Sequence, residues 1–158
     1  EDWLSVFAMN LLSAVRLDRA LIPGMIARGS GAIIHISSVV SRVPAANLLP
    51  YSAAKAALNS YSKGLSTELA PHGVRVNTVL PGLVETAGMT TYLTLRAAEA
   101  GTDIDTARRT FTDGFSVPMG HMGHVDDVAQ MVMFLASDQA RYVTGGQYTV
   151  DGGLTPTS

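Results

Sequence analysis

The pattern that most restricts the fold of this chain is an alternation of short apolar segments with longer helical patterns. Residues 32–36 read Ala-Ile-Ile-His-Ile, a nearly continuous apolar run that is typical of a strand covered on both faces. Further strands are predicted at residues 74–79 and 147–150, and helices at residues 2–28, 50–71 and 125–137. Strands that alternate with helices in this way favour a parallel sheet with helices on both faces, so we predict an α/β fold.

Glycine and proline mark the boundaries of several of these elements. Residues 29–31, Gly-Ser-Gly, end the first helix, and Pro50 suits the first position of the second, where its missing N–H costs nothing. Pro81-Gly82 interrupts the chain after the second strand. Residues 85–118 mix Thr, Gly and helical patches, so we predict a loop with one or two short helices there.

Length and composition limit the class of protein. The 158 residues suffice for a single domain, residues 1–158. A formal net charge of −2 with 15% charged residues provides no basic surface for nucleic acid. The lack of cysteine excludes a disulfide framework and a cysteine-based zinc site. Because every apolar run falls short of the roughly 18 residues of a membrane-spanning helix, we predict a soluble, cytoplasmic protein without a membrane partner.

Three residues indicate a site that handles protons. Tyr51 and Lys55 are four residues apart, which places them on one face of a helix. A phenol has a pKa of about 10, so a tyrosine that exchanges protons near neutral pH needs a neighbouring cation, which Lys55 supplies. The helix dipole in the first turn also favours a phenolate. Ser38, at the carboxyl end of the first strand, offers a hydroxyl that can hold a carbonyl oxygen beside the phenol.

These residues and several others resemble the short-chain dehydrogenase/reductase family. The matching segments occur in the family's order and cover residues 2–154: Asn10, Ile36-Ser37-Ser38, Tyr51-Ser-Ala-Ala-Lys55, Pro81-Gly82-Leu-Val-Glu-Thr86, Val143-Thr-Gly-Gly and Asp151-Gly-Gly. The resemblance implies the C-terminal portion of a doubly wound parallel-sheet Rossmann fold. It also implies an oxidoreductase that moves a hydride between NAD or NADP and a small carbonyl or alcohol substrate.

The resemblance assigns a role to each residue. Ser38 would polarise the substrate oxygen, and Tyr51 would act as the general acid in reduction and the base in oxidation. Lys55 would lower the pKa of Tyr51 and bind the nicotinamide ribose, and Asn10 would hold a water near the lysine. The residues expected to bind the cofactor are Tyr51, Lys55, Pro81, Gly82, Val84 and Thr86. Residues 87–117 would form a substrate lid, and the protein would be a homo-oligomer, either a dimer or a tetramer.

One family feature is not found in this sequence. The glycine-rich turn that holds the cofactor pyrophosphate should precede Asn10, and Gly29-Ser30-Gly31 does not replace it because it comes before a strand rather than after one. We therefore expect the sequence to be truncated or incompletely recorded, with activity dependent on the missing N-terminal part. The alternative is an inactive fragment or pseudoenzyme that acts as a binding or assembly module.

Other sites are predicted less strongly by the sequence. Ser52-Ala-Ala-Lys55 fits the Ser-x-x-Lys motif of penicillin-recognising hydrolases, but the chain has neither a Ser-x-Asn nor a Lys-Thr-Gly partner motif. His121 and His124 lack a third nearby ligand for a metal, so we interpret them as loop residues and predict no metal site. His35 lies inside an apolar strand, which favours a core histidine with satisfied hydrogen bonds over a catalyst.

Overall fold

A three-stranded parallel sheet organises residues 2–156, the part of the chain that the computed structural model describes. The strands of the structure are β1 (Gly31–Ile36), β2 (Val74–Pro81), β3 (Val84–Glu85), β4 (Gly123–His124) and β5 (Gln147–Val150). The main sheet has the order β1-β2-β5, while β3 and β4 form a separate parallel pair. Ile36 is the partner of Val79, and Pro81 is the partner of Val150.

Within the described residues, six α-helices accompany the strands. They are α1 (Trp3–Phe7), α2 (Ser13–Arg28), α3 (Leu49–Leu69), α4 (Ala87–Ala100), α5 (Ile104–Gly114) and α6 (Val125–Ala136). Short 3₁₀ turns lie at Val39–Ser41, Ala46–Leu48, Ala70–His72 and Asp138–Ala140. The bounds of α3, α6 and the three main strands agree with the predicted bounds to within two residues.

Helices cover both faces of the sheet, as predicted. On one face, Ile33 and Val76 pack with Leu65 of α3 and with Ile22 and Met25 of α2 in a shared hydrophobic core. On the other face, the guanidinium of Arg75 donates to the carbonyl of Leu135 on α6, at 2.7 Å. Neighbouring residues of β2 thus face opposite helix layers, which is the arrangement of a doubly wound α/β fold.

The first helical stretch is not the uniform helix that the sequence predicts. Between α1 and α2, residues Ala8–Leu12 form a π-helical segment. The side-chain amide of Asn10 donates to the carbonyl of Val6 at 3.0 Å, a bond that competes with the regular backbone ladder. Single π-helical turns inside α-helices are frequent at functional sites, and this one contains a predicted site residue.

Residues 85–118 contain two helices, which agrees with the predicted number, but the helices fill more of the segment than predicted. Two helices of 14 and 11 residues, α4 and α5, occupy most of the segment. Thr86 and Asp103 cap their N-termini, and Gly101 ends α4 in the left-handed conformation, with φ of 64°. The sequence interpretation missed these caps because threonine and glycine were read as loop residues.

A buried carboxylate connects α2, β1 and α3. Asp18 Oδ2 accepts a hydrogen bond from the hydroxyl of Tyr61 at 2.9 Å and lies 3.0 Å from His35 Nε2. Asp18 and His35 are 5% and 6% exposed. Burial raises the pKa of Tyr61, and the hydrogen bond to Asp18 adds to the rise. His35 is therefore a core histidine, as predicted, although its buried Nδ1 has no partner among the described residues.

Strand β1 lies at one edge of the described sheet. Within residues 2–156 it pairs with β2 along one side, and its other side has no neighbouring strand. An unpaired strand edge can pair with other chains.

None of the helices in the described part of the chain is long and apolar enough to cross a lipid bilayer.

Candidate active site

The predicted site residues gather at the carboxyl edge of the sheet. Ser38 follows the last residue of β1 by two positions, and Pro81 is the last residue of β2. Because Ile36 and Val79 are partners in neighbouring parallel strands, both strands end at the same edge. Ligands of open α/β sheets bind outside the carboxyl ends of the strands.

Lys55 is fixed against the end of β1. Its ammonium donates to the backbone carbonyl of Ile36 at 2.9 Å, and the hydroxyl of Ser37 donates to the backbone carbonyl of Lys55 at 3.2 Å. Helix α3 is thus joined to the end of β1 by one hydrogen bond that it donates and one that it accepts. The role of the Ile36 carbonyl could not be predicted from the sequence, because a backbone acceptor leaves no signal in residue identity.

Tyr51 lies in the first turn of α3, beside both Ser38 and Lys55. The ammonium of Lys55 is 5.6 Å from the centroid of the Tyr51 ring. Burial raises the pKa of Tyr51, while a side-chain hydrogen bond with Ser38 lowers it in part. Burial also lowers the pKa of Lys55. The net change in the pKa of Tyr51 is therefore upward, opposite to the fall that the sequence predicts.

Hydrogen bonds from α3 hold the segment that carries Ser38. The side-chain amide of Asn59 donates to the Ser41 hydroxyl at 2.8 Å, and Ser41 donates to the Ser38 carbonyl at 2.6 Å. Ser38 also caps the 3₁₀ turn that follows it. Ser37, by contrast, is 3% exposed and bonded to the backbone of α3. The geometry thus supports Ser38 over Ser37 as the hydroxyl next to Tyr51.

Asn10 shares one pocket with Tyr51 and another with Lys55. With Tyr51 it lines an open pocket of about 450 Å³, whose other walls include Val6, Met9 and Leu48. With Lys55 it lines a second pocket of about 360 Å³ along β1. The structure therefore brings Asn10, Ser38, Tyr51 and Lys55 into one neighbourhood.

The residues predicted to bind the cofactor form a second group after β2. Gly82 donates its N–H to Val150 at 2.9 Å, and a Cβ at this position would lie 2.7 Å from the Cβ of Asp151. Val84 lies in β3, and the hydroxyl of Thr86 accepts from the N–H of Met89 at 3.2 Å. Thr86 is exposed at the N-terminus of α4, and its side-chain hydrogen bond is to Met89 rather than to Ser38, Tyr51 or Lys55.

The residues of the alternative hydrolase and metal sites do not form such sites in the described structure. Ser52 is 3% exposed, which makes it a poor nucleophile. His124 belongs to β4 and caps α6 through a bond from the N–H of Asp126, at 3.3 Å, so its interpretation as a loop residue is wrong. Among residues 2–156, no three His, Asp or Glu side chains gather in a possible metal site.

Comparison with known proteins assigns the chain to a family. Residues 1–155 match a family model described as enoyl-(acyl carrier protein) reductase. The chain belongs to the short-chain dehydrogenase/reductase family. Members of this family are oxidoreductases that use NAD or NADP.

Several relatives match almost the whole chain. The uncharacterized oxidoreductase YvrD of Bacillus subtilis is 36% identical over 98% of this chain and 59% of its own length. The 3-oxoacyl-[acyl-carrier-protein] reductase FabG of Vibrio cholerae is 38% identical over 98% of this chain and 58% of its own length. A crystal structure of L-sorbose reductase from Gluconobacter frateurii, complexed with NADPH and L-sorbose, has a TM-score of 0.94 at 35% identity and matches 99% of this chain and 59% of its own. The chain thus spans about three-fifths of these relatives.

We predict that Ser38→Ala raises the pKa of Tyr51 further, because the hydrogen bond that opposes the effect of burial is lost. Ultraviolet titration, with Tyr51→Phe subtracted to isolate this phenol, measures the shift. Ser37→Ala is the matched control, since its hydroxyl bonds the Lys55 carbonyl instead. An unchanged pKa in Ser38→Ala would contradict the hydrogen-bonded pair.

Proposed function

We propose that the protein interconverts a carbonyl and an alcohol by hydride transfer with a nicotinamide cofactor. The observation that carries this proposal is the placement of Ser38, Tyr51 and Lys55 together at the carboxyl edge of a parallel sheet. The reactions named for the relatives, the reduction of a 3-oxoacyl group and of L-sorbose, are of the same kind.

The donor groups of the chain fit the nicotinamide half of the cofactor. The Lys55 ammonium has three hydrogens and uses one for the Ile36 carbonyl, so two can reach ribose hydroxyls. The hydroxyl of Thr86 accepts a hydrogen bond from the N–H of Met89 at the N-terminus of α4, and it keeps its own hydrogen for the nicotinamide carboxamide. Pro81, Gly82 and Val84 would supply the backbone beside the ring, where the close approach of Gly82 to Asp151 leaves no room for a larger residue.

The chain's own residues would carry the proton. When bound, the nicotinamide supplies or accepts the hydride. The Ser38 hydroxyl donates to the substrate oxygen and keeps it beside Tyr51. Tyr51 gives its proton to that oxygen in reduction and takes it back in oxidation. A phenol whose pKa is raised by burial starts in the protonated form, which is the form that reduction requires.

Lys55 and Asn10 would support the proton transfer. Once Tyr51 has lost its proton, the neighbouring ammonium of Lys55 favours the phenolate. Asn10 would hold a water near Lys55, a role consistent with the pocket along β1 that the two residues share. Through this water a proton from solvent would restore the phenol.

The helical segment after Thr86 would cover the substrate. We assign the lid to residues 87–117, which contain α4 and α5.

Because the known relatives are oxidoreductases, the alternative of an inactive binding or assembly module is less well supported. The cytoplasmic location remains a prediction from the sequence.

We predict that Tyr51→Phe in the complete protein lowers turnover by about 100-fold or more, because the general acid is lost while the ring remains. Binding of NADPH, followed by its fluorescence, should stay within a few-fold of wild type. Lys55→Ala should weaken both turnover and NADPH binding, since the ammonium serves both.

Two results would count against this proposal. Turnover of Tyr51→Phe close to wild type would remove Tyr51 from the mechanism. A complete, folded wild-type protein that binds neither NADH nor NADPH would favour the binding-module alternative.

We also infer a homo-oligomer. Large apolar side chains of the first helical stretch are exposed, among them Leu17 at 59% and Leu21 at 49%. On α3 the small residues Ala56, Ser60 and Gly64 follow one another at spacings of four, and all three are exposed. A stripe of small residues lets a helix of a second copy approach closely. We therefore expect a dimer, or a tetramer built from dimers, through α2 and α3.

Gly64→Lys should shift this assembly toward the monomer. A Cβ at Gly64 meets no atom within 4 Å, and lysine favours a helix over glycine by about 1 kcal/mol, so the isolated fold should tolerate the change. Light scattering coupled to gel filtration measures the mass. Gly114→Lys, at an equally open position of α5, is the control. A monomeric wild type at micromolar concentration would contradict the inference.

A further inference from the structure

A bidentate ion pair between Arg108 and Glu85, which we call the fork, joins the lid segment to β3, the strand that precedes Thr86. Arg108 of α5 donates from Nε to Oε2 of Glu85 at 3.0 Å and from Nη2 to Oε1 at 2.7 Å. Both carboxylate oxygens are engaged, and the two side chains are 31% and 27% exposed. Asp105 also contacts the guanidinium. Bidentate pairs of this kind fix geometry as well as contributing energy.

Glu85 lies where its orientation affects Thr86. It is the last residue of β3, between Val84 and Thr86. The hydroxyl of Thr90 donates to the Thr86 carbonyl at 3.1 Å and lies 3.5 Å from Glu85 Oε1. The Glu85 carboxylate is thus part of the packing that sets the first turn of α4.

The far end of the fork belongs to a helix hairpin. Helices α4 and α5 pack together, with the rings of Tyr92 and Phe111 5.7 Å apart at their centroids. The hairpin is therefore tied to β3 at two points, through the chain at Thr86 and through the side chain of Arg108. A movement of α5 away from β3 requires the fork to break.

We propose that Glu85 and Arg108 are a positioning pair that holds Thr86 in place for the nicotinamide and couples the α4–α5 hairpin to cofactor binding. This inference rests on the function proposed above. Neither residue touches the Ser38, Tyr51 and Lys55 group, so the pair acts on affinity rather than on proton transfer. Loss of the pair raises the dissociation constant of NADPH and the KM, while kcat at saturation stays within a few-fold.

The test is a double-mutant cycle of Arg108→Gln, Glu85→Gln and the double variant. Each single change should weaken NADPH binding by about tenfold, a loss within the range of coupling between members of one ion-pair network. The double variant should be no weaker than either single variant. Arg109→Gln is the matched control, because Arg109 is the next residue of α5 and bonds Thr106 of the same helix at 3.0 Å. It should bind like wild type.

Hydrogen exchange provides a second readout that needs no cofactor. The amide of Met89 donates to the Thr86 hydroxyl, and the amide of Thr90 donates to the Thr86 carbonyl at 2.8 Å. Both amides should exchange faster in Arg108→Gln than in Arg109→Gln. Arg108→Lys, which keeps the charge and loses the fork, should give an intermediate result and serves if Arg108→Gln folds poorly.

The outcomes separate this inference from the proposed function. If the complete wild-type protein binds no NADPH, the proposed function is overturned and this inference with it. If the wild type binds NADPH and the Glu85 and Arg108 variants bind it equally well, the inference alone is overturned. Independent, additive losses in the double variant would also overturn it, because the two residues would then not act through each other.

Discussion

The candidate site depends on one buried carboxylate. Asp18 of α2 bonds Tyr61 of α3 and lies against His35 of β1, so a single side chain connects three elements. A carboxylate away from water is stable only when its oxygens are paired, and breaking a buried pair typically costs about 3–5 kcal/mol. These elements carry or adjoin the proposed proton-handling residues: Asn10 before α2, Ser38 after β1, and Tyr51 and Lys55 on α3.

The electrostatics of the site favour a protonated phenol. Tyr51 is partly removed from water, and burial raises its pKa more than the Ser38 hydrogen bond lowers it. Lys55 is held by the Ile36 carbonyl instead of by the phenol. Its charge therefore matters most after Tyr51 has given up its proton. In the proposed reduction, such a site would start with its acid protonated and would stabilise the phenolate that remains.

Local patterns predicted much of the fold, and contacts between distant residues account for what they missed. The apolar run before Ser38 and the four-residue spacing of Tyr51 and Lys55 depend on neighbouring residues alone, and both appear as predicted. The lengths of helices α4 and α5 were underestimated because their caps lie in a Thr-rich and Gly-rich segment. The hydrogen bond between Lys55 and the Ile36 carbonyl joins residues 19 positions apart, and the fork between Glu85 and Arg108 joins residues 23 positions apart. No local sequence pattern reveals such contacts.

The pH dependence of kcat/KM in both reaction directions tests the central claim most directly. If Tyr51 donates the proton in reduction and accepts it in oxidation, carbonyl reduction is fastest below the pKa of Tyr51 and declines as the pH rises through it. Alcohol oxidation shows the opposite dependence with the same apparent pKa. Rates that are flat across this range, or that change in the same sense in both directions, would contradict the assignment of Tyr51 as the group that carries the proton.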